Sequence, residues 1–189
     1  RSGRGTVVVI EGPAGIGKTA LLTAARTAAV NGGMRVLRSR GADLERDFAF
    51  GIVRQLFEPP LAEASELERA DLLQASAGVA AGLLGLPGGT RVEGAPSSGV
   101  DSSFAILHGL YWLCANLAAD GPLCLVVDDA HWADPASLRY LAFLLTRLEE
   151  LDAALMVATR PPDAGTDAEL LATVQLTSPH GQRAVSLQE

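Results

Sequence analysis

Near the start of the chain, Gly12-Pro13-Ala14-Gly15-Ile16-Gly17-Lys18-Thr19 fills every fixed position of the pattern GxxxxGK[ST]. Glycines at 12, 15 and 17 let the backbone take positive φ and come close to a ligand, so that successive N–H groups point at one anion. With Ala20 these residues form a candidate phosphate cradle, and it predicts a nucleoside triphosphate site. Lys18 supplies a mobile charge for the β and γ phosphates, and Thr19 a hydroxyl for Mg²⁺. A cradle alone hydrolyses nothing. The second half of such chemistry is an acid at the end of a buried strand, and Leu123-Cys124-Leu125-Val126-Val127 runs directly into Asp128-Asp129. Asp128 is placed to share the metal with Thr19, and Asp129 to polarise an attacking water. Arg160 follows another apolar strand and is a candidate sensor of the γ-phosphate.

The flanking elements have to put these groups on one edge. Thr6-Val7-Val8-Val9-Ile10 is a β-branched run that enters the loop, and a helix starts at Thr19 and ends near Asn31-Gly32-Gly33. A second strand is expected over Met34 to Arg38. Helical segments follow over Phe48 to Phe57 and Leu61 to Leu86, broken at Pro59-Pro60. Residues 87–103 turn to Gly, Pro, Ser and Thr, which predicts a flexible loop. In the helix Phe104 to Leu117, the face bearing Phe104, Leu107, His108, Tyr111, Trp112 and Ala115 reads as core. Pro135 to about Leu148 reads as a helix with Asp134 as its N-cap, and Ala153 to Ala158 as a strand. The tail adds a short helix near Ala168 to Thr173 and a last strand, Ala184 to Leu187. Alternating strands and helices imply an α/β three-layer sandwich around a mainly parallel sheet, with a helical insertion after the second strand. Ligands in such sheets bind at the carboxyl ends of the strands.

The 189 residues suit one catalytic domain, spanning 1–189. A net charge of −7 disfavours direct DNA binding by this segment. No apolar run nears the roughly 20 residues a membrane span needs, and no signal peptide is evident, so a cytoplasmic location is expected. Cys114 and Cys124 have no metal-site spacing and read as buried thiols.

The residues Glu11 to Leu22, Phe48 to Phe57, Val127 to Pro135 and Ala158-Thr159-Arg160-Pro161 together resemble the large ATP-binding LuxR-type transcriptional regulators of bacteria. The resemblance covers nearly the whole chain and is weakest over 62–103. It implies a P-loop NTPase of the ASCE/STAND type, similar to that of the maltose regulator, working as a switch between ATP and ADP with Mg²⁺. It assigns the cradle, metal, water and sensor roles to Lys18, Thr19, Asp128, Asp129 and Arg160. It also implies contacts with other domains of a full-length regulator and self-association when ATP is bound. The family's preceding Gly-Arg-Glu-type segment and its lid, repeats and helix-turn-helix are not in this sequence, so an excised core with weak nucleotide binding and slow hydrolysis is expected. Two rivals remain at this stage. A small-molecule phosphotransferase would need an arginine-bearing lid, and Arg91 is the only basic residue in 87–103. The other is a nucleotide-binding scaffold without hydrolysis. A GTPase is disfavoured because no [NT]KxD element occurs.

Overall fold

The computed structural model describes residues 5–86, 99–161 and 183–186, and the chain divides into two compact units, 1–56 with 121–189, and 57–120. The expected helix over 168–173 lies outside the described residues.

The first unit is built on a five-stranded sheet: β1 (Thr6–Glu11), β2 (Arg35–Arg40), β3 (Leu123–Asp128), β4 (Ala153–Thr159) and β5 (Arg183–Ser186). Their order is β2-β3-β4-β1-β5, and every pairing is parallel. Strand β4 therefore sits between the strand leading into the glycine-rich loop and the strand ending in Asp128. In β3 all six residues are buried, as a continuous apolar run in a parallel sheet covered on both faces should be. The side chains alternate: Ile10, Cys124, Val126 and Ala158 pack with Leu22 and Ala29 of α1 (Lys18–Asn31) on one face. Val7, Val9, Leu125, Val127, Leu155 and Val157, set one residue out of phase, are buried on the other. The step from β1 to β2 and the step from β3 to β4 traverse the sheet in opposite directions. Right-handed crossovers therefore place α1 and α6 (Pro135–Leu145) on opposite faces. Helix α6 buries Leu138, Tyr140, Leu141, Leu144 and Leu145.

Helix α1 stops as the sequence predicts. Gly33 takes φ 78°, Met34 N–H donates to Ala29 C=O and Gly33 N–H to Val30 C=O, which satisfies the last carbonyls and turns the chain into β2.

Three expectations about the helices need correction. Helix α2 (Gly51–Glu63) runs through Pro59 and Pro60 instead of breaking there. Proline's fixed φ is helical, and the fully buried stripe Ile52, Val53, Leu56, Phe57 and Leu61 outweighs the missing N–H bonds. The chain breaks at Ser65, whose side chain and Glu68 cap each other's N–H groups, so the signature Ser65-Glu66-Leu67-Glu68 marked the boundary. The single helix expected to Leu86 is α3 (Glu66–Leu72), a 3-10 turn and α4 (Gly78–Leu83). Finally, α5 (Gly99–Ala119) starts inside the segment expected to be a loop, the rest of which, 87–98, lies outside the described residues.

In the second unit α5 buries Leu110, Leu113, Cys114 and Leu117, an i, i+3, i+4, i+7 stripe. The aromatic face expected to be core is partly outside: Phe104 is 54% exposed and Trp112 42%, although Tyr111 is buried. Phe104 stacks on His108, and Trp112 Nε1 donates to His108 Nε2 at 3.0 Å. Their i, i+4, i+8 spacing lets these rings cover one another. Gly109 is needed on α5 because a Cβ there would lie 2.8 Å from Ser76 C=O.

Candidate functional site

The loop between β1 and α1 takes the shape its glycines allow. Gly15 has φ 82° and Gly17 φ 102°, and a Cβ at either position would meet nothing within 4 Å, so their role is conformational and the space before the loop is open. Gly17 is the N-cap of α1, with no side-chain cap and no acid in the first turn. The helix's leading N–H groups and positive end are thus left for an external anion.

Lys18 is 6% exposed and folds back over the loop, its Nζ donating at 2.6 Å to both Gly12 C=O and Pro13 C=O. Thr19 Oγ1 donates to Asp128 Oδ2 at 2.9 Å, across 109 residues of sequence. The topology explains this meeting: Thr19 opens α1, Asp128 ends β3, and both lie at the carboxyl edge. Asp128 Oδ1 also accepts the backbone N–H of Asp129 at 2.9 Å, which fixes its carboxylate. A hydroxyl and a carboxylate this close are the hard oxygen donors that Mg²⁺ takes. Among the described residues no group of three or more His, Cys, Asp or Glu could hold a metal, so Mg²⁺ would depend on this pair together with ligand oxygens. When bound it would neutralise charge between the phosphates.

Asp129 is held differently. It takes φ 49°, and its Oδ2 accepts from Arg40 Nη2 at 2.9 Å and Nε at 3.0 Å. Arg40 ends β2 opposite Asp128. The Arg40 guanidinium is pushed up from its usual pKa by Asp129 and then Asp128. Gln55 of α2 accepts from Arg40 N–H at 2.8 Å and donates to Arg40 C=O at 3.1 Å. Neither Arg40 nor Gln55 carries a local sequence signal.

Arg160 follows β4, which pairs with both β1 and β3. It lines an open groove of about 680 Å³ with Arg40, Asp129 and Trp132. The Trp132 ring lies 5.3 Å from the Arg46 guanidinium and 6.0 Å from that of Arg160, while Arg160 Nε is buried and has no hydrogen-bond partner among the described residues. His131 is buried against Trp132, and among the described residues neither ring nitrogen has a hydrogen-bond partner. Desolvation lowers its pKa, and Arg160 and Lys18 lower it further, against the pull of Asp129 and Asp128.

The neutral His131 has a consequence for stability. In the unfolded chain it takes up a proton near pH 6.5, whereas the fold resists this. The unfolded state thus binds more protons, so stability is full above the unfolded pKa and falls as pH drops below it. Melting temperature should decline between pH 7.5 and 5.5, and the decline should be shallower in His131→Asn; parallel curves would refute this.

Asp134 caps α6, accepting from Ser137 N–H at 2.9 Å. The same carboxylate accepts from Phe50 N–H at 2.7 Å and Gly51 N–H at 3.0 Å, and so caps α2 as well. Cys114 and Cys124 are buried thiols outside any disulfide, and burial pushes the Cys124 thiol up to about 11. No described helix is long and apolar enough to cross a membrane.

A family model for an AAA ATPase domain matches residues 1–157. Similar solved structures include a STAND protein with a tetratricopeptide repeat sensor from Pyrococcus horikoshii, at 19% identity and TM-score 0.44, over 96% of this chain and 21% of that one. The ORC1 protein of Aeropyrum pernix in complex with DNA matches at 15% identity and TM-score 0.37, over 97% of this chain and 39% of that one. The cbiO1 protein of Clostridium perfringens, part of an ABC transporter complex, matches at 15% identity and TM-score 0.42, over 83% and 68%. This chain thus spans about a fifth of the Pyrococcus protein's length. No curated protein matches.

Proposed function

Because the chain belongs to the AAA ATPase domain family, we propose that it is the ATP-binding, slowly hydrolysing switch domain of a bacterial LuxR-type transcriptional regulator. The observation that carries the nucleotide reading is the Thr19–Asp128 pair beside an uncapped helix start and an ammonium already seated on its loop. Lys18 holds the β and γ phosphates, Thr19 and Asp128 hold Mg²⁺, Asp129 polarises water and Arg160 senses the γ-phosphate. The regulator role is supported by the motif set described for the sequence. In it, the bound γ-phosphate biases neighbouring domains and self-association.

Slow turnover has a physical basis. Asp129 is one methylene shorter than glutamate, and its carboxylate is engaged by Arg40. That pair is worth little, since the Arg40 side chain is 70% exposed. Arg40→Ala should therefore raise the phosphate-release rate, by about two- to fivefold. A fall would instead make Arg40 a stabiliser of transition-state charge.

Thermal denaturation with Mg²⁺ and ATP, ADP or GTP tests the reading. A ligand at 100 times its Kd adds about 2.7 kcal/mol to folding. Shifts with ATP and ADP but not GTP are expected; none at millimolar nucleotide would end the nucleotide reading. An unchanged phosphate-release rate in Asp129→Asn would remove catalysis from that carboxylate.

A further inference from the structure

A cleft of about 300 Å³ lies beside the metal pair, between α1 and the edge strand β2, and its walls include Thr19, Thr23, Arg26, Arg38, Arg40 and Asp128. Its charge is opposite to that of the protein, which carries −7 overall. Three guanidinium groups face one carboxylate. Arg40 is committed to Asp129, but among the described residues the side chains of Arg26 and Arg38 have neither a hydrogen bond nor an ion pair.

Their placement follows from the fold. Arg26 is seven residues beyond Thr19, on the same face of α1 and about 10 Å along its axis. Arg38 pairs with Val126 in the strand register, one alternate position, about 6.6 Å, before Arg40 opposite Asp128. Helix and strand run in opposite directions here, so both free arginines lie on the same side of the metal pair, away from the glycine-rich loop.

We propose that this cleft is a second anion subsite, which takes a dianionic phosphoryl group independently of the loop. Arginine suits that ligand, because its planar fork pairs bidentately with phosphate oxygens. The volume, at the small end for ligand pockets, fits inorganic phosphate or a small phosphate ester. The half-exposed or exposed side chains leave the anion partly solvated and screened by salt, so binding is weak. Phosphate released at the loop would meet these groups next; that use rests on the nucleotide reading, whereas the binding itself does not.

The test titrates inorganic phosphate, and separately glycerol 3-phosphate, into the full chain by phosphorus NMR, with ADP affinity measured on the same samples. The double variant R26Q/R38Q should weaken phosphate binding at least fivefold and leave ADP affinity and melting temperature unchanged. Lys18→Ala should weaken ADP and leave phosphate bound. Tighter binding of the ester would assign a phosphorylated small molecule, and equal binding free phosphate. Unchanged phosphate affinity in R26Q/R38Q, or its loss in Lys18→Ala alone, would overturn the proposal. Failure of ADP to bind the unaltered chain would strike the nucleotide reading and not this one.

Discussion

Replacing Asp134 with alanine should lower the free energy of unfolding by about 3–5 kcal/mol. The side chain is 2% exposed, and its two oxygens accept three backbone N–H groups, from Phe50, Gly51 and Ser137. Alanine would strand all three donors away from water, and each stranded group costs about 1–3 kcal/mol. Two helices would lose their caps at once. Phe50 adds to the loss, because it holds φ 63°, a strained conformation for a bulky residue, and its N–H is fixed by this carboxylate. Asp134→Asn keeps one acceptor oxygen and should cost less than half as much. Urea unfolding of the three proteins would measure both differences, and a loss below 1 kcal/mol in the alanine variant would show that water replaces the carboxylate.

Lys18→Ala should weaken ATP binding by about 10- to 150-fold, the equivalent of the 1.5–3 kcal/mol typical of hydrogen bonds to a charged group. The ammonium already sits within the loop, donating to two of its carbonyls, so little rearrangement is needed when phosphate oxygens arrive. Removing it takes away the one cation of the loop and leaves the carbonyls of Gly12 and Pro13 facing the incoming anion. The effect should be larger for ATP than for ADP, because the γ-phosphate adds charge beside the same group. Calorimetric titration with both nucleotides tests this. Equal affinities in variant and parent, within twofold, would place the phosphates elsewhere.

The glycine-rich loop and the acid that Thr19 meets were legible because their signal is local. The loop pattern is eight consecutive residues, and the acid of β3 follows a run whose apolarity alone predicts burial. The sheet's strands could be read for the same reason. What escaped was set by distance along the chain. The Arg40–Asp129 pair spans 89 residues, and the bonds from Asp134 to α2 span 84 and 83, so they exist only once the strand order is known. Asp134 read correctly as a cap for α6, while its second helix was invisible. Pro59 and Pro60 misled because a local rule met a buried stripe that overrode it. On α5 the aromatic residues shared a helical face, but a competing aliphatic face, Leu110 to Leu117, took the core.

Among the described residues strand β2 forms one border of the sheet, a place where a foreign strand could add itself through unpaired backbone groups. The Gln55 amide grips both the N–H and the C=O of Arg40, as a neighbouring peptide would. One side chain thereby imitates the missing strand at the end of the border nearest Asp128, and the arginines at 38 and 40 keep the rest charged. The same residues that frame the carboxyl end of this border thus guard the protein against edge-to-edge aggregation.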